Sequence, residues 1–159
     1  MEDQILRILV SISTISPTVS TTALTSSVSI GSQSGAPCSS YTTINDPSRN
    51  ILQTQYRTCD DGPLFNSSNN GAWIRFIGSG GSVMSSSSPG INRCGGYSAG
   101  WFNGTLPTAP GTMTAGDIWF SGDSDDIHLH NSTVIYCTGG YYIYFLRPVN
   151  FCNARYCTV

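Results

Sequence analysis

From Tyr41 to Val159 short apolar or aromatic runs alternate with clusters of Gly, Pro, Asn and Ser, the usual punctuation of strands and turns. Nowhere after Cys38 do apolar residues recur at i, i+3, i+4 and i+7 over successive turns, so helices are not expected. The runs predict strands over Asn50–Arg57, Ala72–Gly78, Ser82–Met84, Gly100–Asn103, Thr112–Phe120, Ser132–Cys137 and Tyr141–Leu146. The clearest signal is a hairpin. Thr133-Val134-Ile135-Tyr136 and Tyr141-Tyr142-Ile143-Tyr144-Phe145 are β-branched and aromatic, and Cys137-Thr138-Gly139-Gly140 separates them. Gly78-Ser79-Gly80-Gly81 has no lysine and no helical pattern behind it, so it reads as a turn and not a phosphate loop. The pattern is that of an all-β domain.

Upstream the pattern changes. Residues 11–40 are about half Ser or Thr, too little apolar surface to offset ordering entropy. Residues 1–37 are therefore expected to form a disordered Ser/Thr-rich segment, for which an O-glycosylated stalk and a plain spacer are both open readings. Met1–Val10 has an apolar kernel but begins acidic, which fits a weak secretion signal or the start of a fragment.

Charge narrows the partners. The chain has 7 basic residues, all arginine and scattered from Arg7 to Arg155, so no stripe exists to neutralise phosphates and no nucleic acid is expected. No polybasic membrane patch is present, and no apolar run is long enough to span a bilayer.

The cysteines add the compartment. There are 6, all from Cys38 onward, at irregular spacing and without Cys-x-x-Cys or His-Glu-x-x-His motifs. Such a set reads as a disulfide framework made in an oxidising compartment, which places the protein outside the cytosol, secreted or extracellular. Spacing does not choose among the possible pairings. Residues 38–159 are thus expected to be a small disulfide-stapled antiparallel β-sandwich-like domain following the hydroxyl-rich segment.

More specific landmarks follow one another in order: Asp46-Pro47-Ser48-Arg49, Cys59-Asp60, Ala72-Trp73-Ile74-Arg75-Phe76-Ile77-Gly78-Ser79-Gly80-Gly81, Trp101-Phe102-Asn103-Gly104-Thr105-Leu106-Pro107, Cys137-Thr138-Gly139-Gly140-Tyr141-Tyr142-Ile143-Tyr144-Phe145-Leu146 and Tyr156-Cys157. Over residues 38–158 the chain resembles the cysteine-rich module of the family that includes uromodulin, the pancreatic secretory granule glycoprotein and the oncoprotein-induced transcript protein. The family module has more cysteines; those absent here fall before Arg93-Cys94 and around Thr114–Asp126, where Asp125-Asp126 stands instead. The resemblance implies that the absent cysteines pair among themselves, leaving Cys38–Cys137, Cys59–Cys152 and Cys94–Cys157. It also implies a non-enzymatic secreted module that binds extracellular ligands or presents glycans, with glycans, extracellular proteins or bacterial adhesins as partners. In uromodulin-like members a high-mannose glycan, a decoy for fimbrial adhesins, sits in the Tyr-x-Leu part of the hairpin. The matching position here is Phe145, and no sequon follows it.

Sequons for N-glycosylation stand at Asn66, Asn103 and Asn131; Asn103 falls on the family's Trp-x-Asn-Gly-Thr landmark. Trp73, Phe76, Trp101, Trp119, Tyr142 and Tyr144 are the expected core, with glycan-stacking platforms as the alternative use of such rings. Arg75 is expected on the Trp73 face of its strand, as a buried partner for Asp60.

Two rival readings remain. A structural spacer domain in a mucin-like chain needs no site. A secreted hydrolase would draw on His128 and His130, which two-residue spacing puts on one strand face, with Asp123, Asp125 and Asp126. No third metal ligand is specified, and Asp123-Ser124-Asp125-Asp126 lacks the glycine and closing glutamate of a calcium loop, so neither metal nor cofactor nor catalytic residue is expected.

Overall fold

The computed structural model describes residues 25–33, 35–55, 59–60, 65 and 70–159, and they form an all-β domain. Its strands are β1 (Ser27–Ser29), β2 (Thr42–Asn45), β3 (Ala72–Ile77), β4 (Ser98–Asn103), β5 (Thr112–Phe120), β6 (Ile127–Cys137), β7 (Tyr141–Leu146) and β8 (Ala154–Tyr156). They make one sheet in the order β1-β2-β3-β7-β6-β5-β4-β8, antiparallel except for the β2–β3 and β4–β8 pairs.

Period-2 side-chain alternation builds the core from this sheet. On β3, Ala72, Ile74 and Phe76 are buried while Trp73, Arg75 and Ile77 are only partly covered. Inner-face residues from both halves of the sheet, Ile44, Ile74, Phe76 and Tyr144 with Phe102, Ile118, Phe120 and Tyr156, join one hydrophobic cluster. The sheet curls so that its two halves face each other across this cluster. Its ends are tied together by polar contacts. Asp46, just past β2, pairs with Arg155 of β8. Arg49 donates to the Tyr156 carbonyl (3.1 Å), and Asn50 bridges Thr158.

The hairpin takes the expected form, with β6 and β7 paired from Cys137↔Tyr141 to Val134↔Tyr144. β5 matches its predicted span, whereas β4 and β6 begin earlier than expected, at Ser98 and Ile127. Asn50–Arg57 is not a strand over its described residues: the Asn50 side chain accepts from the Leu52 amide (3.0 Å) and its carbonyl from the Gln53 amide (2.9 Å), which curls the chain into a turn. Within Ser82–Met84 only an isolated bridge forms, Met84 to Thr158. Gly78–Gly80 is a single 3-10 turn, closed by the Gly81 amide on the Gly78 carbonyl.

Part of the hydroxyl-rich segment, residues 25–33, lies among the described residues and carries β1. β1 pairs with β2 at Ser27↔Asn45, Val28↔Ile44 and Ser29↔Thr43. Three hydroxyl-rich residues have no core face of their own, but an edge strand borrows its backbone partners from its neighbour. Residues 1–24 lie outside the described residues.

Candidate functional site on the outer sheet face

Cysteines define the frame. Cys38 joins Cys137, Cys59 joins Cys152 and Cys94 joins Cys157, with Cα–Cα separations of 5.7, 5.3 and 5.4 Å. These are the pairs that the family resemblance implies. Cys38–Cys137 pins the chain just ahead of β2 to the end of β6; Cys94–Cys157 is buried beside Ala99.

Between these staples the outer face of β4, β5 and β6 carries two lateral rows. Asn103, Asp117 and Asn131 are direct cross-strand partners, and so are Trp101, Trp119 and His128. Residues two apart on β4 and β5 share a face, so the rows lie side by side. Asn103 and Asn131 are exposed, and neither side-chain amide is held by the described residues. Strand spacing puts their backbones about 9–10 Å apart, with Asp117 between. The His128 ring packs on Trp119 (5.2 Å between centroids) and its Nε2 approaches the Asp117 carboxylate (3.5 Å).

That placement revises the aromatic core. Phe76 and Tyr144 are fully buried and Tyr142 packs against them, but the tryptophans Trp73, Trp101 and Trp119 all face outward and are partly exposed. Glycines explain why. Phe102, one residue on from Trp101, fills the inner face, and its ring lies where a Cβ on Gly104 or Gly116 would stand, 2.7 and 2.5 Å away. The inner layer has no room for an indole there.

The second outer cluster holds Arg75. Its Nη1 donates to the Tyr41 hydroxyl (3.0 Å), and its guanidinium lies 3.7 Å from the Tyr141 ring centroid, a close cation–π contact. Arg75 shares the Trp73 face as expected but is not the partner of Asp60. Arg49 takes that place, with Nη1 and Nη2 each 2.7 Å from the carboxylate and both residues almost fully buried. Asp60 also accepts from the Tyr156 amide (2.8 Å). The Asp46-Pro47-Ser48-Arg49 landmark held a usable signal: Asp before Pro caps a short turn, and Asp46 accepts from the Ser48 amide (3.0 Å), which aims Arg49 inward.

The paired-histidine reading fails on register. A bulge opposite Ile118 and Trp119 leaves Leu129 unpaired, so Trp119 faces His128 while Ile118 faces His130. His128 is exposed. His130 is buried, with Nδ1 donating to the Asn131 carbonyl (2.8 Å) and Nε2 meeting the Tyr156 hydroxyl (3.3 Å). Asp123 accepts from Tyr97 and Asp126 from Ser88, while Asp125 is exposed. No metal-holding group of His, Cys, Asp or Glu occurs among the described residues.

At the family's decoy position Phe145 is half-buried, edge-on to Trp73 with 5.4 Å between centroids. Asn66 lies outside the described residues. No helix among the described residues is long and apolar enough to cross a membrane.

Curled sheet and three disulfides define a disulfide-stapled β module, with aromatic rings and two sequons on its outer face. Residues 74–158 match the family model of the uromodulin-like domain, and the chain belongs to that family. Similar proteins include the pancreatic secretory granule membrane major glycoprotein of Homo sapiens, 30% identical over 77% of this chain and 22% of that protein. The Canis lupus familiaris protein of the same name is 33% identical over 81% of this chain and 24% of its own length. Uromodulin of Mus musculus is 31% identical over 77% and 18%. The chain thus spans less than a quarter of these relatives.

Proposed function

We propose that this chain is a non-enzymatic extracellular module that presents N-linked glycans at Asn103 and Asn131 to glycan-binding proteins, microbial adhesins among them. The observation that carries this reading is the shared row on β4, β5 and β6: both described sequons occupy exposed strand positions on one face, with side-chain amides that no described residue holds. Glycans anchored on a stapled sheet project in one direction, which favours multivalent capture over a floppy display. With Phe145 packed on Trp73, the hairpin is not the presenting element, and the role passes to the neighbouring strands. The relatives whose name calls them a major glycoprotein support a glycosylated module.

The test is an array of glycan-binding proteins and fimbrial adhesins probed with the protein made in a eukaryotic secretory host, alongside glycopeptide mapping. Binding is expected, and it should vanish when the N-glycans are removed enzymatically. Unmodified Asn103 and Asn131, or binding that survives deglycosylation, would overturn the proposal.

A further inference from the structure

We infer that the outer-face tryptophans form a built-in platform for the chain's own oligosaccharide: the first N-acetylglucosamine on Asn103 folds back along β4 and stacks on Trp101, with Trp119 extending the surface. This rests on the proposed occupancy of Asn103.

Anchor and ring are two residues apart on one strand, so they share a face with about 6–7 Å between their backbones. That gap suits a pyranose linked directly to the asparagine amide. The sugar has one face lined by C–H groups of partial positive charge, and an indole presents the electron-rich face that attracts them. Trp101 is the better of two neighbours for Asn103. Along the row lies Asp117, whose carboxylate already faces His128 at 3.5 Å, and beyond it Asn131 with a sequon of its own. A glycan leaning that way meets charge and a second glycan; leaning along β4 it meets Trp101.

The platform is wider than one ring. Trp119 stands directly across from Trp101 and is itself backed by His128 at 5.2 Å. Cross-strand partners of this kind have Cβ atoms about 4.5–5.5 Å apart, so both indoles spring from one patch of the outer face. Both covered indole N–H groups find no acceptor among the described residues. Those N–H groups lie in the ring planes under cover of the protein itself, so a stacked sugar meets the indole faces and not the donors.

The experiment is a double-mutant cycle on the secreted glycoprotein, with Thr105→Ala to delete the sequon while keeping Asn103, Trp101→Ala to delete the platform, and both together. Glycopeptide mapping first reports Asn103 occupancy. The glycan is expected to raise Tm by about 2–4 °C when Trp101 is present and to leave it unchanged in the Trp101→Ala background. Trimming to a single N-acetylglucosamine should retain the gain, since only the first sugar stacks. Should Trp101→Ala not be secreted, NMR of the trimmed native protein decides: the sugar C–H and N-acetyl methyl signals are displaced upfield by the indole ring current. An equal Tm gain with and without Trp101, or unshifted sugar signals on an occupied Asn103, overturns this inference and leaves the presentation role standing. An unoccupied Asn103 removes this inference, and Asn103 and Asn131 both unoccupied remove the presentation role as well.

Discussion

At the scale of single residues, the deepest commitment is the Arg49–Asp60 pair. Both side chains are nearly inaccessible, at 4% and 3% relative exposure, and the guanidinium meets the carboxylate through two 2.7 Å bonds. Desolvating such a pair offsets much of its attraction, but removing one member strands the other charge. Arg49→Met is therefore expected to cost about 3–5 kcal/mol in chemical denaturation, and Arg49→Met with Asp60→Leu to recover most of it. His130 sets a pH dependence. Burial, assisted by the positive charges of Arg147 and His128, holds its pKa below the ordinary value of 6.5, against the opposing pull of the Asn131 carbonyl and Asp117. The unfolded chain then takes up the proton first, so stability is full above pH 6.5 and falls as pH drops through that value toward the folded pKa. Denaturation midpoints measured across this range should slope downward on acidification, and His130→Gln should flatten the slope. Asp46 adds to the decline at lower pH: burial pushes its carboxyl up, but the Ser48 bonds and the Arg155 and Arg49 charges together hold it below its usual value.

At the scale of elements, small residues decide which face is core. Gly100, Gly104 and Gly116 each leave space taken by an aromatic ring, Phe120 at the first and Phe102 at the other two. In Gly116→Ala the new Cβ would stand 2.5 Å from Phe102 Cζ, and that ring is fully buried with nowhere to go. A loss of about 1–3 kcal/mol is expected, read as a lower Tm with unchanged disulfides. The long strand pair and hairpin were legible in the sequence, since β-branched and aromatic runs such as Thr133–Tyr136 and Tyr141–Phe145 state their own period. β1, β2 and β8 were not. Ser27–Ser29 and Ala154–Tyr156 span 3 residues each, too few to display alternation, and they become strands only because a neighbour offers an open backbone. The reverse error at Asn50–Arg57 arose because composition does not show that the Asn50 side chain captures its own backbone.

At the scale of the whole molecule, the staples close loops of 99, 93 and 63 residues. In the chain-entropy account each contributes about 4–5 kcal/mol, chiefly by restricting the unfolded chain. Access to reductant differs among them. Cys94 and Cys157 are fully buried, whereas Cys152 is exposed. Mild reduction followed by thiol labelling should open Cys59–Cys152 first and Cys94–Cys157 last, and non-reducing peptide maps of the native protein should return the three pairs.

The linear chain already carries the class: an all-β body, an oxidising compartment, and the family to which the ordered landmarks point, because composition, period and cysteine number are properties of residues read in order. The site waits for the folded sheet. Whether Trp101 points in or out depends on glycines, one of them on a different strand, His128 and His130 part company over one unpaired residue, and Asn103 meets the Asn131 row only once β5 lies between them. Faces, registers and lateral rows are relations between distant segments, and no local pattern encodes them until the sheet has closed.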